Sequence, residues 1–328
     1  MQRADQAIEL ARRHGWSEEP VAAFAYAVLG RTRLWQGQVE DAGRLLAHAE
    51  RTLPAEIHPA AGLMLHYARG SLEMARGRYP QALVAFRAAE RLAELLVTPH
   101  TLATRMRSHR LQLLVKLGDT QRAEQTLAEL DEQQRESGEM RIALAALRLA
   151  QDDPQAASAA LSPVVNRSAP LSNPRVWLVH AFLLEAIAHD ALGDTGAAAR
   201  SLEQALQLAE SDGLVLAFLL HPAPGLLERH RGHRTSHAAL ISEILNRSAG
   251  NTQASLPGEP LSESETRVLR YLPTNLSKQE IADELYVSVH TVKTHIHHIY
   301  TKLGVHRRWN AVERARALGL LAPSSHKR

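Results

Sequence analysis

The chain has no cysteine, few aromatic residues and no long apolar run, and each absence excludes a class of protein. Without cysteine among its 328 residues, it forms no disulfide, no thiolate zinc site and no cysteine nucleophile. Aromatic residues make up only 4% of the chain, whereas Ala and Leu dominate the apolar residues, a profile that favours stacked helices over a β-sandwich. The lack of an apolar run of about 18 residues, and of an apolar N-terminal stretch, predicts a cytoplasmic protein that does not enter a membrane.

Positive charge is concentrated at the C-terminus. Residues 261–328 contain 11 Lys and Arg against 6 Asp and Glu, a net charge of +5, and the rest of the chain carries −2. Only the C-terminal part is therefore suited to a polyanion such as DNA, although charge alone also allows a basic tail without a partner.

A repeat of about 34 to 41 residues occupies residues 1–245. Each copy has a Gly or Asp anchor, an Ala five residues later and a large apolar residue nine residues later. The anchors are Gly37, Gly77, Gly118, Asp152 and Gly193; the Ala positions are Ala42, Ala82, Ala123, Ala157 and Ala198; the large positions are Leu46, Phe86, Leu127, Leu161 and Leu202. A small residue precedes most anchors by seven positions, in Gly30, Gly70, Ala145 and Ala186, and Leu111 departs from this rule.

This spacing predicts antiparallel helix pairs that stack into a solenoid. Gly or Asp at the anchor permits a tight turn, and the following apolar stripe packs the second helix on the first. A degenerate last copy is expected around Gly225 and Gly232. At the other end, Ala4, Ile8 and Ala11 fit a second helix whose partner is missing, so this stripe is expected to lie uncovered.

The repeat resembles the tetratricopeptide pattern, best in the stretch from Gly77 to Ala89. The layout is similar to that of MalT-like regulators, which implies a small-molecule inducer on the array; solenoids in general also bind peptides or proteins there. No G-x-x-x-x-G-K-[ST] motif is present, so a P-loop is not encoded, and our interpretation is a truncated or naturally short relative.

The C-terminal part predicts four helices after a linker. Residues 246–260 are polar and rich in Gly, Ser and Pro, which is typical of a linker. In residues 261–328, Ser262 and Ser277 each precede a Glu by three positions, the pattern of a capping box that opens a helix. A third helix is predicted over 289–303, capped by Ser288, and a fourth over 309–318 with Ala311, Ala315 and Leu318 on one face.

The third helix separates an apolar stripe from a polar face. Val292, Ile296, Ile299 and Leu303 recur at helical spacing and form the buried stripe. The opposite face holds His290, Thr294, His297 and Thr301, with Lys293 and His298 at its edges. Such a face is suited to the major groove of DNA, where hydrogen bonds read bases and cations hold phosphates.

These motifs, from Leu261-Ser-Glu-Ser-Glu to Lys302-Leu-Gly-Val, resemble a LuxR-type helix-turn-helix domain over about 60 residues. The resemblance implies that Lys293, Thr294 and His297 read bases, that Thr291, Ser277 and Lys278 hold phosphates, and that helix 309–318 forms a homodimer. The DNA-binding candidates are Lys293, Thr294, His297, Thr291, His290, Lys278, Ser277 and Thr301. His297 stands where many relatives have Lys or Arg, which predicts a weaker or a different base preference.

No catalytic residue, metal or cofactor site is predicted. Of the histidines in the third helix only His295 and His298 are well spaced, and they lack nearby carboxylates or thiolates in sequence. His230, His233 and His237 are expected on an exposed capping helix. Arg307 and Arg308 are expected either to contact a phosphate or to form a solvated basic turn. The sequence thus predicts an all-α transcriptional regulator, and the alternative is an interaction scaffold with vestigial DNA binding.

Overall fold

A computed structural model describes residues 2–53, 58–97, 102–232, 235–254, 261–274, 276–303, 305, 308–318 and 320–321. Within these ranges every regular element is a helix, as the sequence predicts. The chain divides into two compact units, Met1–Ser248 and Ala249–Arg328. The helices that begin in the first unit are α1 (Gln2–Arg13), α2 (Pro20–Trp35), α3 (Val39–Thr52), α4 (Pro59–Ala75), α5 (Tyr79–Glu94), α6 (Ala103–Lys116), α7 (Thr120–Ala128), α8 (Glu132–Glu136), α9 (Gly138–Ala150), α10 (Pro154–Val165), α11 (Pro174–Ala191), α12 (Thr195–Asp212), α13 (Leu216–Leu220), α14 (Pro224–Arg231) and α15 (Ala238–Ala254).

All five predicted anchors lie between two paired helices in the left-handed conformation. The φ angle is 68° at Gly37, 72° at Gly77, 79° at Gly118 and 80° at Gly193. Asp152 adopts the same conformation with φ 65°, although it has a Cβ atom. The predicted turn is therefore confirmed, because a positive φ is what Gly permits and most other residues resist. Gly232, the anchor of the degenerate copy, differs, since its φ is −68°.

The small position and the large position of a repeat meet in the core. A Cβ atom added to Gly30 would lie 2.9 Å from Leu46 Cγ, and one added to Gly70 would overlap the ring of Phe86. Both large side chains are fully buried. In the third copy, where Leu111 occupies the small position, the second helix α7 has only nine residues, against 14 in α3 and 16 in α5.

The prediction that the apolar stripe of α1 lies uncovered was wrong. Ile8 and Ala11 are buried in a core that α1 shares with α2, so the face finds its partner later in the chain rather than before it. A helix in a stacked array has two neighbours, and the one that follows suffices to cover this stripe.

The inner layer of the array consists of the first helices of the pairs, α2, α4, α6, α9 and α11, which pack on one another. Helix α13, which the repeat pattern does not predict, packs on α2, α4 and α11. Just before it, the Val215 N–H donates to the Trp35 carbonyl at 2.9 Å. The segment between α12 and α13 thus contacts the end of α2.

The predicted linker differs from the structure in its first part, because α15 continues to Ala254. Arg247 forms an ion pair with Glu243 one turn earlier, and its Nη1 donates to the carbonyl of Gln36 at 2.6 Å. These contacts stabilise the helical conformation of this segment, although its composition is typical of a linker. Residues 255–260, the rest of the predicted linker, lie outside the described residues.

Candidate nucleic-acid interface

The second unit contains α16 (Glu263–Leu269), α17 (Lys278–Leu285), α18 (Val289–Leu303) and α19 (Arg308–Ala317) around one apolar core. Both predicted capping boxes are present. The Ser262 hydroxyl accepts from the Glu265 N–H at 3.2 Å, and the Ser277 hydroxyl accepts from the Glu280 N–H at 3.3 Å. Each Glu carboxylate accepts in return from the backbone N–H of its Ser at 2.7 Å. The beginnings of α16 and α17 are therefore fixed by local sequence.

A tight turn joins α17 to α18. Tyr286 ends α17 with φ 54°, and its side chain is almost wholly exposed. Ser288 then caps α18 as predicted, since its hydroxyl accepts from the Thr291 N–H at 3.0 Å. The same hydroxyl lies 2.8 Å from the Thr291 hydroxyl, which fixes the Thr291 side chain at the beginning of α18.

The predicted apolar stripe of α18 is confirmed, because Val292, Ile296, Ile299 and Leu303 are all buried in the core. On the opposite side, Lys293 is exposed and Thr294 is half-buried. His290, His297 and Thr301 belong to the helical backbone of α18, and their side chains lie outside the described residues. The structure therefore presents an outward face of α18 with one described cation, Lys293.

The beginning of α17 presents a second polar surface. Lys278 is exposed at the first position of the helix. Ser277 is exposed as well, but both its N–H and its hydroxyl bond with Glu280. The first N–H groups of a helix attract anions, so Lys278 and the helix terminus together can hold a phosphate without the Ser277 side chain.

Glu265 links α16 to α18 through a buried ion pair. Lys302 Nζ lies 2.7 Å from Glu265 Oε2, and His298 Nδ1 lies 3.6 Å from Glu265 Oε1. Burial raises the pKa of Glu265, but hydrogen bonds from His298, Lys302 and the Ser262 N–H and the charge of Lys302 outweigh it, so the pKa falls to about 2. The carboxylate stays ionised and fixes one edge of α18. His298, predicted at the edge of the outward face, is thus directed to Glu265.

Arg308 fulfils neither of the two expectations from sequence. Its Nε donates to the Leu272 carbonyl at 2.9 Å and its Nη1 to the Leu276 carbonyl at 2.7 Å. Its Nη2 donates to two further carbonyls of the same turn, those of Tyr271 and Thr274. The guanidinium therefore holds the turn before α17 in place. Backbone carbonyls carry no sequence signal, so the motif could not reveal this role.

Helix α19 packs on the core through Ala311 and Ala315, as predicted. Leu318 was predicted on the same face, but it lies beyond the end of α19 and is 53% exposed. Trp309, at the beginning of α19, is 72% exposed. These two exposed apolar side chains lie at opposite ends of the helix that the resemblance assigns to the homodimer contact.

The histidines proposed as an exposed cap are buried instead. His230 lies 2.7 Å from Glu203, and His237 lies 2.8 Å from Glu210; His233 is outside the described residues.

In the part of the chain that the structure describes, no three His, Asp or Glu side chains are grouped to hold a metal ion. None of the described helices is long and apolar enough to cross a membrane.

Comparison with known families agrees with both units. Residues 2–229 match the family described as the MalT-like TPR region. The chain belongs to this MalT-like family. Residues 259–315 match a second family, described as bacterial regulatory proteins of the luxR family. The tetratricopeptide-like array and the LuxR-type domain predicted from sequence are both confirmed.

Curated relatives of this MalT-like chain are described as HTH-type transcriptional regulators MalT. The protein from Vibrio cholerae is 29% identical over 42% of this chain and 18% of its own length. The protein from Cronobacter sakazakii is 28% identical over 64% of this chain and 22% of its own length. The chain thus spans about a fifth of the length of these relatives. Among solved structures, the APC/C hetero-tetramer Cut9–Hcn1 is similar with a TM-score of 0.47 and 19% identity, covering 74% of this chain and 45% of that one.

Proposed function

We propose that this MalT-like chain is a cytoplasmic, non-enzymatic transcriptional regulator that binds duplex DNA with α18 in the major groove. The observation that carries the proposal is the helix-turn-helix itself. Both capping boxes are intact, the stripe of α18 is buried, and Lys293 and Thr294 lie on its outward side. Helices of this kind present base-reading side chains near their N-terminus, with flanking cations on phosphates.

The roles of individual residues follow from their positions. Lys293, Thr294 and His297 read bases, with His290 and Thr301 on the same helical face; Lys278, the first turn of α17 and Thr291 hold phosphates. Ser277 contributes its position as the cap of α17, because its hydroxyl is occupied by Glu280. Two copies associate through α19, where Trp309 and Leu318 are exposed. The array of the first unit binds a small-molecule signal or a partner protein, which adjusts the activity of the DNA-binding unit.

The test is binding of the full chain to a randomised duplex library at two salt concentrations. His297→Ala should change the ranking of sequences and cost roughly 1–3 kcal/mol on the best site, because it removes a base contact. Lys278→Ala should weaken binding to all sequences alike and flatten the salt dependence, because one fewer counterion is released.

Arg314→Ala, which removes an exposed cation on α19, serves as the matched control and should preserve the ranking. An unchanged ranking in His297→Ala would refute the placement of α18 in the groove. A folded protein with no salt-sensitive DNA binding would favour the scaffold alternative.

A further inference from the structure

Two histidines meet where α13 packs on the inner layer of the array. Nδ1 of His180, in α11, lies 3.3 Å from Nε2 of His221, the residue that follows α13. Both side chains are buried, with 2% and 6% of their surface exposed. A neutral imidazole has one donor and one acceptor, so two neutral rings form this hydrogen bond without burying a charge. We call these two residues the histidine pair.

Aromatic rings enclose one side of the histidine pair. The ring centroid of His180 lies 5.2 Å from that of Trp177, which in turn lies 5.2 Å from that of His109 in α6. The two rings of the pair meet edge to face at 84°, with their centroids 5.5 Å apart. Because these neighbours are packed closely, a proton added to the pair would bring a charge into the core of the array.

Within the described residues, only groups that are positive or can become positive face the histidine pair. These groups are His109 and Lys116, both of α6, and no carboxylate and no group of another described helix acts on the pair. Helix α13 itself carries no charged side chain. Burial, followed by His109, lowers the pKa of His180 to about 3. Burial, followed by His180, Lys116 and His109, lowers the pKa of His221 well below its usual value.

The histidine pair therefore takes up protons when α13 leaves α11. Because His221 follows α13 directly, release of α13 brings His221 into water and uncovers the ring of His180 that faces it. In water each imidazole regains a pKa of about 6.5. Both groups thus have a lower pKa when α13 is packed than when it is released. The stability that their neutral forms provide is complete above about pH 6.5 and is lost as the pH falls.

The size of this loss follows from the difference in proton binding. Between pH 7 and pH 5, an imidazole that is neutral when α13 is packed and has a pKa of about 6.5 when it is released lowers the packing equilibrium about 25-fold. Both histidines together lower it about 600-fold. A segment as short as α13, which has five residues, has few other contacts to offset such a change.

We propose that the histidine pair is a pH-sensitive switch that keeps α13 on α11 at neutral pH and releases it in mild acid. The release acts on the end of α2, because the Val215 N–H just before α13 donates to the Trp35 carbonyl. The next carbonyl of the chain, that of Gln36, accepts from Arg247 of α15. Acid therefore weakens the attachment of the segment that holds α15, from which the chain continues into the second unit.

The experiment measures amide hydrogen exchange of the full chain by mass spectrometry at pH 7 and pH 5, corrected for the intrinsic exchange rate at each pH. The N–H groups of Phe218 and His221 report on release, because both bond to carbonyls in or next to α13. Their protection should fall about 600-fold from pH 7 to pH 5. Protection in α10, which contains no histidine, should change less than about threefold.

The matched variants remove the titration and keep the hydrogen bond. An Asn amide replaces Nδ1 and a Gln amide replaces Nε2, so the double variant His180→Asn, His221→Gln still joins α11 to the end of α13. Its protection should change less than about threefold between the two pH values, and each single variant should show a fall of about 25-fold. His58→Gln, exposed before α4, is the control and should behave as the unaltered protein does.

Two results would overturn the proposal. One is an unaltered protein that keeps its protection in α13 at pH 5. The other is a double variant that loses as much protection as the unaltered protein. If the double variant is unprotected at both pH values, the single variants decide, and a fall in them as large as that of the unaltered protein would overturn the proposal.

Discussion

Replacing Glu265 with Gln tests the ion pair that fixes α18. Gln keeps the size of the side chain and can accept from the Ser262 N–H, but it loses the charge that faces Lys302 at 2.7 Å. A carboxyl whose pKa falls from 4.5 to about 2 contributes about 3 kcal/mol to folding at neutral pH. This contribution is complete above the unfolded pKa of 4.5 and disappears as pH falls through 2.

The assay is urea denaturation of residues 249–328 between pH 7 and pH 3. Trp309, the one tryptophan of that segment, reports on unfolding, and a helical circular dichroism spectrum first establishes that the segment folds. Glu265→Gln should lose about 3 kcal/mol at pH 7 but only about 1.4 kcal/mol at pH 3. Glu263→Gln, exposed in the same turn, should change stability by less than about 0.5 kcal/mol. An equal loss for Glu265→Gln at both pH values would refute the ionic origin of the effect.

Two further substitutions test the fold. Arg308→Met should destabilise the second unit by about 2 kcal/mol in the same assay, because four carbonyls lose their donor. Arg308→Lys should not restore the stability of the second unit. Unchanged stability in Arg308→Met would contradict the role of Arg308 in holding the turn before α17. Asp152→Gly should stabilise the array by up to about 1 kcal/mol, because Gly relieves the left-handed strain at φ 65°. The neighbouring Asp153→Ala should cost about 1 kcal/mol, because it removes the cap that accepts from the Ala156 N–H. Denaturation of the full chain followed by circular dichroism measures both, and a loss of stability in Asp152→Gly would refute the strain argument.

Local features of the fold could be predicted from sequence. The anchors Gly37 to Gly193 could be predicted because a left-handed turn requires a particular residue at one position. The capping boxes at Ser262 and Ser277 and the stripe of α18 could also be predicted, because each depends on residues within a few turns of one another.

Features that depend on distant partners could not be predicted. Arg247 lies in a polar segment, and only its bond to the Gln36 carbonyl, 211 residues away, explains why the helix continues there. Arg308 bonds backbone carbonyls, which every residue has. The rings of Tyr67, His109 and Trp177 come from α4, α6 and α11, and no local spacing brings these residues together.

The contact between Val215 and Trp35 sets the number of helix pairs that fit between α2 and α13. In an open solenoid each repeat touches only its neighbours, so copies can be added or removed at small cost. Here the segment before α13 returns to the end of α2, and Arg247 returns to Gln36. Inserting or deleting one helix pair would displace these groups by the width of a repeat and break both contacts. The number of helix pairs between α2 and α13 is therefore fixed by these two contacts.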